Sequence, residues 1–292
     1  MSPTVTHPRA ALLTALAVLA TGCAASAAPR SDSAPEPVAP TAEVRGLILP
    51  FDAYEPSHLE SFVVAEARDL LMRSCMRARG HDWKVLDYPA HIDDLKNRRR
   101  YGVIEIAVAR KFGYHANAAV MSAGTDITNL RKKRDEQLGS AGMRAAYDEK
   151  NGCGYKANDR LQRDGANADY DRFNRLSSEI LARAKKEPES RAALKNWETC
   201  MRQKGFDYRT PDESIADSRW WSRKPPGASR EEIATAMADV RCKQRTRLVA
   251  VLFGAESRLQ RQSVASDRGY FARLAAAKAR NLEQAREIID RH

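Results

Sequence analysis

Apolar residues recur along this chain at three- and four-residue intervals, the spacing of one face of a helix. Leu59, Val63, Ala67 and Leu70 form one such stripe, and Leu194, Trp197 and Met201 form another. A third runs through Glu231–Leu252 on Ile233, Met237, Val240, Leu248 and Val251. Cys242 falls on the opposite side of that helix with Ala238, Val249 and Phe253, so both faces are apolar and the helix is expected between two layers. Ser229 reads as its N-cap, with Glu232 three residues on to complete a capping box. Segments 166–186 and 190–204 read as helices separated near Pro188. From Ser266 onward, Phe271, Leu274, Leu282, Ala285 and Ile289 continue a long amphipathic helix, with Gly269 marking its junction with the preceding one. The apolar run within Tyr101–Phe112 fits a short helix or a buried strand; its place between Arg100 and the Gly113-Tyr114 turn favours helix. Stretches from Gly113 to Gly124 and Gly139 to Gly154 are punctuated by glycine and are expected to be the loosest part of the fold. The fold class that follows is all-α.

Inside this pattern lies a duplication. Residues 75–83 read Cys-Met-Arg-Ala-Arg-Gly-His-Asp-Trp, and residues 200–208 read Cys-Met-Arg-Gln-Lys-Gly-Phe-Asp-Tyr. Each copy describes a helix end. Basic residues crowd the last turn (Arg77 and Arg79; Arg202 and Lys204), where they complement the helix dipole. Gly80 and Gly205 follow where a left-handed residue closes the helix. The aromatic three residues later can fold back, and the cysteine can bond the helix to another element. A structural role explains every repeated residue, and a ligand-binding role explains none of them better.

The N-terminus sets the compartment. A short cationic start with His7 and Arg9 leads into an uncharged apolar stretch, Ala10 to Ala20, closed by Thr21-Gly22-Cys23. The apolar run fits a signal-peptide core and falls short of the roughly 20 residues a spanning helix needs. Leu19-Ala20-Thr21-Gly22-Cys23 resembles the bacterial lipobox, with Ala20 where a large aliphatic residue is usual. This resemblance implies cleavage before Cys23, a diacylglycerol thioether on its thiol, and residence at the outer face of the cell membrane. The competing reading is an ordinary cleaved signal leaving through Ala25 and Ala27. Ala, Ser and Pro dominate from residue 24 to about 45, a composition suited to a disordered spacer between membrane and folded domain. The organisation expected is thus a leader over 1–22, a lipid-anchored spacer over 23–45, and a helical extracytoplasmic domain over 46–292. Its first unit covers 46–165 and its second 166–292.

Cys23 set aside, four cysteines remain: Cys75, Cys153, Cys200 and Cys242. An even set in an exported chain points to two disulfides, because the compartment is oxidising. None sits in a Cys-x-x-Cys pair, and the histidines show no ligand spacing around them, so a metal site is disfavoured. Three connectivities are open. The repeat's symmetry favours Cys75–Cys153 and Cys200–Cys242, each copy closing on its next cysteine. The whole layout resembles uncharacterised secreted lipoproteins of high-GC Gram-positive (actinobacterial) bacteria, many of which carry a Cys-Met-x-x-x-Gly-aromatic helix end twice. That resemblance implies compartment and framework, and no chemistry.

Of 49 lysines and arginines only Arg9 lies in the leader, so 48 stand against 38 acidic residues in the mature chain, a net charge of +10. That sign favours adhesion to anionic lipid or wall polymer, screened beyond about 8 Å at physiological salt. The basic runs Lys96-Asn97-Arg98-Arg99-Arg100 and Arg131-Lys132-Lys133-Arg134 also fit nucleic acid, which export disfavours. No nucleophile elbow, zinc-protease helix, phosphate loop or dinucleotide glycine pattern is present, and no cofactor is implied. Glu105, amid apolar neighbours, is the one candidate for a perturbed acid, although an exposed helix position suits it better. Of the adjacent Trp220 and Trp221, one is expected in the core and the other at a surface beside Arg219, Arg223 and Lys224. Two functions remain: a non-enzymatic binding or accessory protein of the envelope, engaging a wall polymer or envelope protein, and a wall-active hydrolase with a carboxylate site.

Overall fold

A computed structural model describes residues 38–115, 127–162, 168–222 and 227–292, and their regular structure is helical throughout. In chain order the helices are α1 (Ala42–Arg45), a 3-10 turn (Pro50–Tyr54), α2 (His58–Arg77), α3 (Ile106–Phe112) and α4 (Ile127–Glu136). Next come α5 (Gly139–Tyr147), α6 (Cys153–Gln162), α7 (Tyr170–Ala184), α8 (Pro188–Gln203), α9 (Pro211–Ala216) and α10 (Ser218–Trp221). The chain closes with α11 (Arg230–Thr246), α12 (Leu248–Ser266) and α13 (Arg268–Asp290).

Both copies of the repeated motif stop their helix in the same way. After α2, the His81 amide donates to the Met76 carbonyl and the Gly80 amide to that of Arg77. After α8, Phe206 donates to Met201 and Gly205 to Arg202. This paired pattern satisfies carbonyls that a helix end leaves orphaned, and it needs a left-handed residue. Gly80 and Gly205 supply it at φ +74° and +84°. Met76 and Met201 are fully buried, and the aromatics Trp83 and Tyr208 fold back against them. The disulfides close as the repeat's symmetry predicts, Cys75 with Cys153 and Cys200 with Cys242.

The two stapled halves exchange elements. Helix α3, from the stretch between the first motif and Cys153, packs against α11, while the last helix, α13, lies along α2 and touches α6. Ala67 on α2 and Ala285 on α13 are fully buried in that second contact, where small side chains let the helix axes approach. Helix α12 spans the middle, against α7 and α8.

Four sequence expectations are corrected. The helix expected over Glu231–Leu252 is two: Arg247 takes a left-handed φ of 54° and serves as cap to both α11 and α12. The next junction falls at Asp267, whose carboxylate accepts from the Tyr270 amide, and Gly269 lies inside α13. Of the two stretches expected to be loosest, residues 116–124 lie outside the described residues, and in the other Gly142, Gly152 and Gly154 mark close packing, while Gly139 has open space around it. This stretch forms α5 and the start of α6, and a Cβ on Gly154 would sit 3.1 Å from the Ala146 carbonyl. The spacer ends earlier than residue 45: Thr41 caps α1 and Val44 is buried in the core.

The basic run at 96–100 does not coat a helix. It turns inward within an irregular stretch that follows α2. Arg98 is buried and grips Glu105, Nε to Oε2 at 2.6 Å and Nη2 to Oε1 at 3.2 Å, while also donating to the Val38 carbonyl. Arg99 donates to the Tyr114 carbonyl, and Arg100 reaches Glu256 and Ser177. In the run at 131–134, Arg134 is likewise buried, paired with Asp69 at 2.9 Å and stacked over the Trp83 ring. Breaking such a buried pair from one side leaves an uncompensated charge and costs about 3–5 kcal/mol, whereas replacing both partners with apolar groups is far less harmful. Urea unfolding of Arg98→Met is therefore expected to show a loss of that size, with most of it recovered in Arg98→Met/Glu105→Leu. A single variant within about 1 kcal/mol of wild type would contradict the buried pair.

Candidate functional site

Cys23, with the whole of residues 1–37, where a leader and most of a spacer were expected, lies outside the described residues. Cys75, Cys153, Cys200 and Cys242 all sit in disulfides, so none of them is a thiol. Among the described residues no cluster of three or more side chains has metal-ligating geometry.

Glu105 is not on an exposed helix face. It is the residue before α3, is 4 % exposed, and both its oxygens are engaged: Oε1 by the Thr41 amide and Arg98, Oε2 by Arg98. The apolar neighbours that marked it surround an ion pair that ties the start of the domain to α3, and no face is left for a substrate.

Trp220 and Trp221 divide as expected, one inside and one outside, although they lie on the short helix α10 rather than a loop. Asp217 caps α10 by accepting from the Arg219 amide. Trp220 is 1 % exposed and donates its indole N–H to the Ser214 carbonyl. Trp221 is 52 % exposed, yet its indole N–H is held by the Ile215 carbonyl at 2.8 Å. An indole with its N–H fixed and one face open is a rigid apolar platform.

Beside it stands a group that sequence patterning did not reveal. The His115 ring lies 4.5 Å from the Trp221 ring, centroid to centroid, and its Nδ1 is 2.8 Å from Glu232 Oε1. The same oxygen accepts from the Tyr114 amide at 2.7 Å. Glu232 is fully buried, and its Oε2 has no hydrogen-bond partner among the described residues. Gly113, at φ +55°, makes room for it: a Cβ there would stand 2.5 Å from Glu232 Oε1. The capping box expected at Ser229 is half formed. The Ser229 hydroxyl accepts from the Glu232 amide, but the Glu232 side chain turns inward to His115 instead of back to Ser229. This contact fixes the imidazole by Nδ1 and leaves Nε2 on the other side of the ring. The corner can thus offer a planar or saccharide ring one stacking face and one imidazole contact.

Behind the corner a polar chain runs through the core along α11. The Tyr114 hydroxyl donates to Ser214 and Asp239 lies beyond it at 3.4 Å. Asp239 accepts from the Trp197 indole and from Lys243, whose ammonium also donates to the Val103 carbonyl. Burial raises the Asp239 pKa, with Lys243 pulling against it. Comparison with protein-family models, curated proteins and solved structures finds no match for this chain.

The platform's footing is electrostatic. Hydrogen bonds from Arg219 and then Tyr208 hold the Asp217 carboxyl well below the ordinary carboxylate range, against a smaller opposing effect of desolvation. A depressed carboxylate stabilises the fold above its unfolded pKa of about 3.9, and that contribution disappears as pH falls through the folded value. Asp217→Asn keeps the cap and removes the charge. Its cost, measured by thermal unfolding, is expected below about 1 kcal/mol at neutral pH because its partner Arg219 is exposed and solvent screens the pair. The difference from wild type should shrink as pH drops below about 4, and a penalty that grew on acidification would contradict the assignment.

Proposed function

We propose that this protein is a membrane-anchored extracytoplasmic lipoprotein, held by diacylglycerol on Cys23, that acts as a non-enzymatic binding or accessory protein of the cell envelope. The observation that carries the reading is the cysteine accounting. Four of the five cysteines close into two disulfides, which form and persist in oxidising compartments, and Cys23 is the one left over. Binding is favoured over covalent chemistry because Glu105, the acid that pointed to a hydrolase, is bound up with Arg98 and Thr41. The surface that fits a binding role is the Trp221–His115 corner, and an anionic wall polymer with sugar rings suits both its stacking face and the chain's basic excess.

Mass spectrometry of the mature N-terminal peptide tests the anchor. A diacylglycerol-modified Cys23 is expected, with Cys23→Ala moving the protein from membrane to soluble fractions. An unmodified Cys23, or a chain starting at Ala28, would overturn it. Co-sedimentation with purified cell-wall polymer tests the binding role. Trp221→Ala should lower retention several-fold at physiological salt without shifting the unfolding temperature. Equal retention of the two proteins would remove the corner from the proposal.

A further inference from the structure

Between α7, α8, α9, α11 and α12 lies a cleft that nothing in the envelope reading requires. Its walls are Leu194 from α8 and Leu248, Val249 and Leu252 from the first turns of α12, with the Tyr101 ring closing one side. Helix α12 starts immediately after the left-handed Arg247, and its first turns supply Leu248, Val249 and Leu252 to the cleft. Leu248, Val249 and Leu252 are buried from solvent yet border empty space of about 130 Å³. An apolar cavity of roughly 150 Å³ stays dry and takes up benzene, so this one matches a hydrocarbon group of about six carbons.

Charge marks the two ends differently. At the inner end Lys243 is buried and already neutralised by Asp239 at 2.9 Å. A second anion brought there would be stripped of water beside a buried carboxylate, which is heavily unfavourable. At the mouth Lys185 pairs with Asp212, and the pair is lopsided: the Lys185 side chain is 31 % exposed and that of Asp212 69 %. Both line the cleft, and the cation is the less exposed of the two. Thr210, also at the mouth, accepts from the Glu213 amide through Oγ1 and keeps its hydroxyl proton to donate.

We propose that this cleft is a binding site for a small amphipathic carboxylate, its hydrocarbon part of about six carbons seated among Leu194, Leu248, Val249 and Leu252 and its carboxylate on Lys185 at the mouth. The proposal does not depend on where the protein resides. Asp212 then acts as the residue that competes with the ligand for Lys185, so removing its charge strengthens binding.

Methyl-detected NMR of the full folded chain, titrated with hexanoate and separately with 1-hexanol, tests this. Saturable shifts are expected at the methyls of Leu194, Leu248, Val249 and Leu252, with hexanoate the tighter of the two. Across butyrate, pentanoate and hexanoate, affinity should rise about fourfold per methylene, and it should level off once the chain outgrows the cavity. Lys185→Met should bring hexanoate down to the level of hexanol. Asp212→Asn should tighten hexanoate several-fold and leave hexanol unchanged. Leu194→Trp, which fills the cleft from its half-buried rim, should abolish both. Absence of saturable shifts, shifts that survive Leu194→Trp, or equal affinity for acid and alcohol in the wild type would each overturn the site. If Leu194→Trp does not fold, the two mouth variants decide: hexanoate still tighter than hexanol in Lys185→Met, or hexanoate no tighter in Asp212→Asn than in wild type, sinks the proposal.

Discussion

The arrangement of this protein depends on buried guanidinium groups that must each meet a carboxylate. An unpaired charge in the interior costs several kcal/mol, so every such pair pins two segments with little tolerance for slippage. Arg134 and Asp69 are 65 residues apart, and the buried Glu256 meets the half-buried Arg100 from 156 residues away. Between α2 and α3 the chain runs for over two dozen residues without a helix, a length at which ordered loops are uncommon. It is ordered because its polar groups are spoken for. Asp69 accepts from the Trp83 indole, the Leu86 amide, the Tyr88 hydroxyl and Arg134, and at the far end Arg98, Arg99 and Arg100 each hold a different part of the fold. Hydrophobic burial alone would leave this stretch free to slide, whereas the pairs leave it one position.

This division explains which features could be read from the sequence. Helix ends are local: Gly80 and Gly205, three residues short of an aromatic, announce their conformation through sterics alone, and the structure shows both. Cysteine parity is local in the same sense, since a count and a duplicated context suffice to propose Cys75–Cys153 and Cys200–Cys242. Charges carry no such signature. Arg98 reads as part of a solvated basic run, and Glu105 as an acid on an open helix face, because each is interpretable only once its partner is known. His115 and Glu232 escaped for the same reason. Glu232 occupies a capping-box position whose ordinary use explained it fully, and its inward turn depends on Gly113, 119 residues earlier in the chain. The break at Arg247 was hidden by an unbroken apolar stripe, since nothing in residue periodicity registers a single left-handed residue.

The duplicated motif kept its backbone role in both copies while its polar surroundings diverged. Trp83 carries Arg134 stacked over its ring and bonds to Asp69, and in the second copy Tyr208 bonds to Asp217 and receives a hydrogen bond from Arg219. An aromatic, a carboxylate and an arginine recur in both places, assembled from positions that do not correspond in sequence. The helix end and its staple are fixed by sterics and covalent geometry. The polar triad around the aromatic is a solution any nearby carboxylate and arginine can provide. The exchange of elements between halves, α3 towards α11 and α13 towards α2, makes each half's core depend on the other. Loosening one staple therefore acts on a shared core rather than on a separable unit.

The internal use of arginine also bears on what the exterior offers. Arg98 with Glu105, Arg134 with Asp69 and Lys243 with Asp239 are each neutral as a pair, so they remove equal numbers of positive and negative charges from the count. The +10 excess of the chain after Gly22 is consequently carried by groups outside these pairs. The most conspicuous basic runs in the sequence are poor guides to where that excess lies, because several of their residues point inward. Long-range attraction to an anionic surface depends on the exposed remainder and falls off over about 8 Å at physiological salt. Adhesion can therefore bring the domain to a charged polymer without choosing an orientation. Orientation needs a fixed, uncharged contact, and Trp221, held by its own indole N–H and backed by His115, is a side chain that meets that requirement.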